Sequence, residues 1–182
     1  MKTPVFYFLS LFILFPFFAT AQEHEGEHEE EHEFKHHRIA IMIGHTHVPK
    51  GIEGGGDTGG LIVPSWGLNY EYWFNENWAI GLHNDMEITT YAIERVRDTV
   101  LERERPFILA LVGLYKFDTG FEILTGMGLE LEKNENFVVF RLGVEYEIEI
   151  GKHWDIAPGF VYDIKEDVYN SFTIGLSVGK KF

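Results

Sequence analysis

The chain has 182 residues and carries 29 acidic against 15 basic side chains, a formal net charge of −14. It contains no cysteine, which excludes a disulfide framework, a thiolate metal site and a cysteine nucleophile. A chain this acidic is a poor candidate for nucleic-acid binding, because Lys and Arg are what hold phosphates.

The first segment, 1–21, has the composition of a secretory signal. Lys2 precedes the apolar run VFYFLSLFILFPFF, and small residues stand at Ala19 and Ala21. This order of features predicts cleavage after Ala21, which leaves one domain's worth of chain. A membrane-spanning helix is the alternative, since the run is long and rich in Phe. Pro16 and the small-residue end favour the processed signal.

A tail of glutamate and histidine follows at residues 22–37. Phe34 is its only large apolar side chain, so the tail cannot bury enough surface to fold alone, and a disordered spacer is the first expectation. Metal capture is the second. Histidines recur every four residues, and a helix would stack them on one face, within reach of Zn²⁺, Cu²⁺ or Ni²⁺. Docking to a basic partner is the third. The candidate ligands are His24, His28, His32, His36 and His37.

Residues 38–182 alternate apolar and polar side chains in successive runs, the pattern of half-buried strands. Val138–Ile150 is the clearest run, with Val, Phe, Leu, Tyr and Ile on one face and Arg, Gly and Glu on the other. Phe107–Phe117 is apolar on both faces, so its orientation stays open. The predicted strands are Ile39–His47, Ser65–Phe74, Trp78–Ile88, Phe107–Phe117, Gly120–Glu132, Val138–Ile150, Trp154–Ile164 and Phe172–Phe182.

Eight strands without intervening helices favour an all-β fold, an antiparallel up-and-down barrel. A soluble lipocalin-like barrel would line a ligand cavity with its apolar face, whereas a transmembrane barrel turns that face to lipid. Glycine placement favours the membrane, because small residues on the polar face relieve crowding inside a narrow barrel. These glycines are Gly67, Gly81, Gly126, Gly128, Gly143, Gly159, Gly175 and Gly179.

Connection lengths and aromatic residues also favour a transmembrane barrel. The short connections NEN, DT and GKH alternate with longer ones, of which 48–60 and 89–105 are the longest. Transmembrane barrels have short periplasmic turns and long external loops, so both barrel ends are expected at the periplasmic rim. Aromatic side chains near the short turns predict an interfacial girdle at that rim. They are Tyr72, Trp73, Phe74, Trp78, Phe117, Phe121, Trp154 and Phe182.

With these features, residues 38–182 resemble the small eight-stranded bacterial outer-membrane barrels of the OmpA/OmpX type. The last strand, SFTIGLSVGKKF, looks like the terminal signal that such proteins present to the barrel-assembly machinery, with Phe182 at its end. The resemblance implies residence among the lipids of a Gram-negative outer membrane. It does not imply one activity, because members serve as anchors, adhesins, narrow channels and lipid-modifying enzymes.

The polar face predicts a charged interior whose groups need partners or water. The first expectation is a plug of ion pairs around Arg141, and a thin cation or water path is the alternative. The predicted interior charges are Glu71, His83, Asp85, Glu122, Glu130, Arg141, Glu145, Glu147, Asp163 and Lys116.

The strand pattern also bears on two further activities, serine hydrolysis and metal binding. A tight hairpin about NEN would place Ser65 opposite Glu87 and His83 opposite Asn69, so no Ser-His pair forms and an enzyme is not expected. Ser171 and Ser177 are the other serines after the leader. His45 and His47 share one strand face and form a weak candidate metal pair.

The sequence therefore predicts a non-enzymatic outer-membrane barrel with a structural or surface role and a periplasmic tail, for which divalent-metal binding is the second expectation after a plain spacer. No cofactor is required for this role. A small cation- or water-conducting barrel and a secreted lipocalin-like barrel are the alternatives.

Overall fold

The computed structural model describes residues 34–52, 60–95, 99–165 and 168–182. The predicted leader 1–21 and the tail residues His24, His28 and His32 lie outside them. Within the described residues, no helix is long and apolar enough to cross a membrane.

The described residues form twelve strands. They are β1 (His37–Val48), β2 (Gly51–Ile52), β3 (Leu61–Trp73), β4 (Trp78–Glu87), β5 (Thr90–Arg95), β6 (Thr99–Glu104), β7 (Phe107–Lys116), β8 (Phe121–Leu131), β9 (Phe137–Tyr146), β10 (Ile148–Gly151), β11 (Trp154–Lys165) and β12 (Tyr169–Lys181).

Eight of these strands close into an antiparallel barrel in the order β1-β3-β4-β7-β8-β9-β11-β12, which confirms the predicted fold class. The first and last strands pair with each other, and the His37 amide donates to the Phe182 carbonyl at 3.2 Å. Closure leaves no unpaired barrel edge. The predicted strand Val138–Ile150 is interrupted at Glu147, and its second part, β10, continues along β11.

Every barrel strand turns an apolar face outward. Ile43, Met127 and Ile174 are 62%, 61% and 63% exposed, whereas Glu71 and Glu130 on the opposite face are fully buried. A soluble ligand-binding barrel needs the reverse arrangement, so that alternative is wrong. Such an apolar outer face is compatible with the hydrocarbon of a membrane, and the barrel wall shields the charged inner face from lipid.

The inner glycines allow the strands to pack closely, as predicted. A Cβ atom at Gly126 would collide with the Leu111 carbonyl oxygen, and one at Gly128 with that of Leu109. Any side chain at either position would push the β8 backbone away from β7.

The predicted aromatic girdle lies at the rim of the short turns, with one correction. Trp78, Tyr115 and Phe117 contact one another there, with ring centroids 4.7 and 4.9 Å apart. Trp73 does not belong to this girdle. It points inward, is 3% exposed and donates from Nε1 to Glu71 at 3.1 Å, because alternation along β3 places it on the inner face.

Part of the barrel interior is apolar. It includes the inner face of β7, the strand whose orientation the sequence left open. Ile108, Ala110, Val112 and Leu114 point inward and β7 contributes no charge there until Lys116. They complete an apolar cluster on one side of the lumen. Its other members are Trp73, Ala79, Leu124 and Val139.

The long connections also contain structure that was not predicted. β2, β5 and β6 form a separate three-stranded antiparallel sheet. Tyr91 and Ile93 of β5 pack against Val63, Phe137 and Tyr169 at the ends of barrel strands. This second core lies at the rim opposite the short turns.

Candidate functional site in the barrel interior

Arg141 of β9 is the central cation of the interior, as predicted. Its guanidinium donates from Nε to Asp163 on the neighbouring β11 at 2.7 Å, and from Nη1 to Asp85 on β4 at 2.6 Å. Two strands, β7 and β8, separate β4 from β9 around the barrel. The ion pair with Asp85 therefore crosses the lumen.

A second cation, Arg38, lies nearer the short-turn rim. It donates to Glu71 at 2.8 Å and, through Nε and Nη2, to both carboxylate oxygens of Asp155. His83 Nε2 lies 3.2 Å from the same Glu71 carboxylate. Arg38 stands one residue before the predicted start of its strand. Extending the alternation by one position would have identified it.

Glu147 joins two lysines at the short-turn rim. Its Oε1 atom accepts from Lys116 of β7 at 2.5 Å and from Lys181 of β12 at 2.6 Å. One carboxylate thus links two strands, β7 and β12, that are not neighbours in the barrel.

Lys165 and Glu130 form the corresponding pair near the opposite rim. Lys165 Nζ lies 3.0 Å from Glu130 and donates to Ser171 at 2.7 Å. The Tyr169 hydroxyl donates to the Glu130 carboxylate at 2.7 Å. Lys165 is fully buried, and it follows the last predicted residue of its strand.

The three-stranded sheet covers this end of the lumen. Arg103 of β6 is buried, pairs with Glu130 and donates to the backbone carbonyl of Glu135 at 2.6 Å. Burial and the neighbouring Glu87 carboxylate raise the pKa of Tyr91 above its ordinary value, so its hydroxyl stays neutral. The barrel charges and the sheet are therefore one connected network.

Some oxygen atoms of interior carboxyl groups lack a hydrogen bond. Within the described residues, Oε1 of Glu122 and Oε2 of Glu147 are buried without a hydrogen bond. Glu122 stands directly opposite Glu145 in the β8–β9 register. Two carboxylates in such a pair would repel each other, which disfavours the ionisation of both at once. A cavity of about 20 Å³ borders Glu145 and has room for about one water molecule.

The serines do not form a hydrolase triad. Ser65 faces Glu87 and His83 faces Asn69, which confirms the predicted hairpin register. Ser171 contacts Lys165, but the Glu130 carboxylate holds that amine as an ammonium ion rather than as a general base. Ser177 is buried on the inner face of β12.

The candidate metal ligands that can be placed are dispersed. His45 and His47 share the outer face of β1, and the His47 ring packs on Phe172 with centroids 4.6 Å apart. His36 Nδ1 donates to the Trp73 carbonyl at 2.8 Å, and His37 Nδ1 lies 2.8 Å from the Tyr70 hydroxyl. In the part of the chain that is described, no three His, Asp or Glu side chains form a metal site.

The sequence matches no protein-family model and no curated protein sequence. Solved structures do match. Neisserial surface protein A is similar with a TM-score of 0.55 at 12% identity, over 80% of this chain and 97% of that one. The N-terminal β-barrel domain of Pseudomonas aeruginosa OprF has a TM-score of 0.50 at 10% identity, over 81% of this chain and 98% of that domain.

Structural similarity at sequence identities this low shows a shared fold only. The activity has to be argued from the residues. The closed eight-stranded barrel agrees with the architecture of both neighbours. The chain has the fold of the small eight-stranded outer-membrane β-barrels.

Proposed function

We propose that this chain is a non-enzymatic outer-membrane barrel with a closed interior, which supports an external surface built on β2, β5 and β6. The observation that carries this proposal is the ion pair between Arg141 and Asp85, which crosses the lumen at its middle. Ion pairs among the described residues also join barrel strands near both ends of the lumen, at Glu147 and at Lys165.

Conductance in planar bilayers tests the closed interior. The natural barrel is expected to give no current steps, and Arg141→Ala is expected to give small steps because it opens the central constriction. Cation-selective steps from the unaltered barrel would contradict the proposal and support the second candidate, a narrow cation path. The excess of acid favours that candidate, since the described residues include eight buried carboxyl groups and only four buried Arg and Lys side chains.

The proposed orientation places the short turns in the periplasm and the three-stranded sheet outside the cell. Because the chain has no cysteine, single introduced thiols report position without background. Thr89→Cys at the sheet rim is expected to react with a membrane-impermeant maleimide on intact cells, and Glu76→Cys in a short turn only after lysis. The reverse result would invert the orientation.

We further propose that the His/Glu tail binds divalent metal in the periplasm. The hydrogen bond of His36 supports this proposal. Its partner is the Trp73 carbonyl, which can only accept a hydrogen bond. The Nδ1 atom of His36 therefore carries a proton, which leaves Nε2 as the ring atom that would coordinate a metal. Metal-bound histidines commonly have this arrangement.

Zinc calorimetry on the folded barrel tests the tail. Binding is expected for the unaltered chain, to be lost when residues 22–35 are deleted together with His36→Asn and His37→Asn, and to persist in a His45→Asn, His47→Asn control. Binding that survives the deletion would contradict the proposal. Binding lost in the control instead would move the site to β1.

A further inference from the structure

A groove of about 940 Å³ interrupts the outer face of the barrel across β7, β8 and β9. Gly113 and Thr125 form its floor and stand opposite each other in the β7–β8 register. Trp78, Tyr115 and Phe117 border it on the side of the short turns. Apart from hydroxyl groups, its lining side chains are apolar.

The groove exists because two small residues lie between bulky ones. In the same row of the barrel, Gly113 is flanked by Ile80 of β4, and Thr125 by Leu142 of β9. Unlike the inner glycines, Gly113 has open space above it: an added Cβ would meet only the Thr125 carbonyl oxygen, at 3.9 Å. Internal packing therefore does not require glycine here.

We infer that this groove binds one acyl chain of a membrane phospholipid. It lies within the lipid-facing belt and begins beside the aromatic girdle, which marks the level of the headgroups. An unbranched hydrocarbon chain can enter along the open side and replace the side chain that Gly113 lacks. In the proposed orientation the lipid belongs to the periplasmic leaflet. The inference rests on the proposed membrane function.

Trp78 lines the groove and serves as its reporter. Two variants are compared in phosphatidylcholine vesicles that contain increasing fractions of phosphatidylcholine brominated on its acyl chains. One variant lacks Trp66 and Trp154, so Trp78 reports; the other lacks Trp66 and Trp78, so Trp154 reports from the same rim outside the groove. Both keep the inward-pointing Trp73 as a constant background.

Fluorescence of the Trp78 reporter is expected to be half-quenched at a several-fold lower brominated fraction than that of the Trp154 reporter. Gly113→Phe fills the groove and is expected to abolish this difference. Leu111→Phe is the matched control, because Leu111 lies on the outer face of the same strand beyond the groove. This control is expected to leave the difference intact.

Equal quenching of the two reporters in inserted, heat-modifiable barrels would overturn the acyl-chain site and leave the barrel assignment standing. Protection of Trp78 from quenching, together with cross-linked dimers, would overturn it in favour of a second copy of the chain. Failure of the unaltered chain to insert into vesicles would contradict the membrane function and, with it, the acyl-chain site.

Discussion

Arg141 Nη1 and Asp85 Oδ1 lie 2.6 Å apart across the lumen, although 56 positions separate the two residues in the chain. A buried pair of this kind is costly to break, because removing one partner leaves the other charge without compensation. Arg141→Gln is expected to lower the free energy of unfolding by about 3–5 kcal/mol. Urea unfolding of the barrel in phospholipid vesicles, followed by tryptophan fluorescence, measures the loss.

Neutralising the partners provides the control for this prediction. The triple variant Arg141→Gln, Asp85→Asn, Asp163→Asn contains no uncompensated charge at this level and is expected to regain most of the lost stability. A single Arg141→Gln variant as stable as the natural chain would show that the pair does not stabilise the barrel.

Two inner glutamates are expected to respond in opposite ways to the same change. Glu122→Gln removes a carboxyl group that has no partner at Oε1 and lies opposite Glu145, so stability should be unchanged or raised. Glu71→Gln removes the carboxylate that accepts from Arg38 and Trp73, so stability should fall by about 3–5 kcal/mol. The same urea titration compares them, and equal losses would refute the contrast.

Arg103 is expected to hold the external sheet on the barrel. Arg103→Met keeps an apolar stem but loses the contacts with Glu130 and with the Glu135 carbonyl. Glu130 retains Lys165 and Tyr169, so the barrel should stay folded. Protease added to intact cells should cut the external loops faster.

Heat-modifiable migration checks the barrel in the same samples. Glu104→Gln is the matched control, because Glu104 lies on the same strand with an exposed side chain. Cleavage at the natural rate in Arg103→Met would mean that the sheet is held by its apolar core alone.

Acid is expected to loosen the loop that carries Glu132. Burial alone raises the pKa of Glu132, but the backbone amides of Asn134 and Glu104 and the charge of Arg103 outweigh that effect, so its pKa is lowered. A carboxyl group with a lowered pKa stabilises the folded loop above its unfolded pKa of about 4.3 and loses this effect as the pH falls through the folded pKa.

Hydrogen exchange at the Asn134 and Glu104 amides measures this effect, after correction for intrinsic rates. The natural chain should protect both amides better than Glu132→Gln at pH values above about 5, and the difference should vanish in stronger acid. Protection that instead disappears at alkaline pH would contradict the assigned sign.

The sequence alone determined the eight barrel strands, the faces of all of them except β7, and the rim of the short turns. Alternation with a period of two fixes which side chains share a face, and a tight turn fixes a register, as for Ser65 opposite Glu87. The same alternation places Trp73 on the inner face, but its position near a short turn led to its wrong assignment to the girdle. The charged residues on the polar face of the strands predicted a plug of ion pairs around Arg141.

Only the tertiary structure decided which groups meet across the lumen. Asp85 and Arg141 lie on strands that are not neighbours, and barrel closure, which no local pattern encodes, brings them together. The inward face of β7 was likewise decided by its packing against Trp73 and Leu124, since both of its faces are apolar. Local sequence specifies which way a side chain points, and the curvature of the closed sheet specifies what it meets.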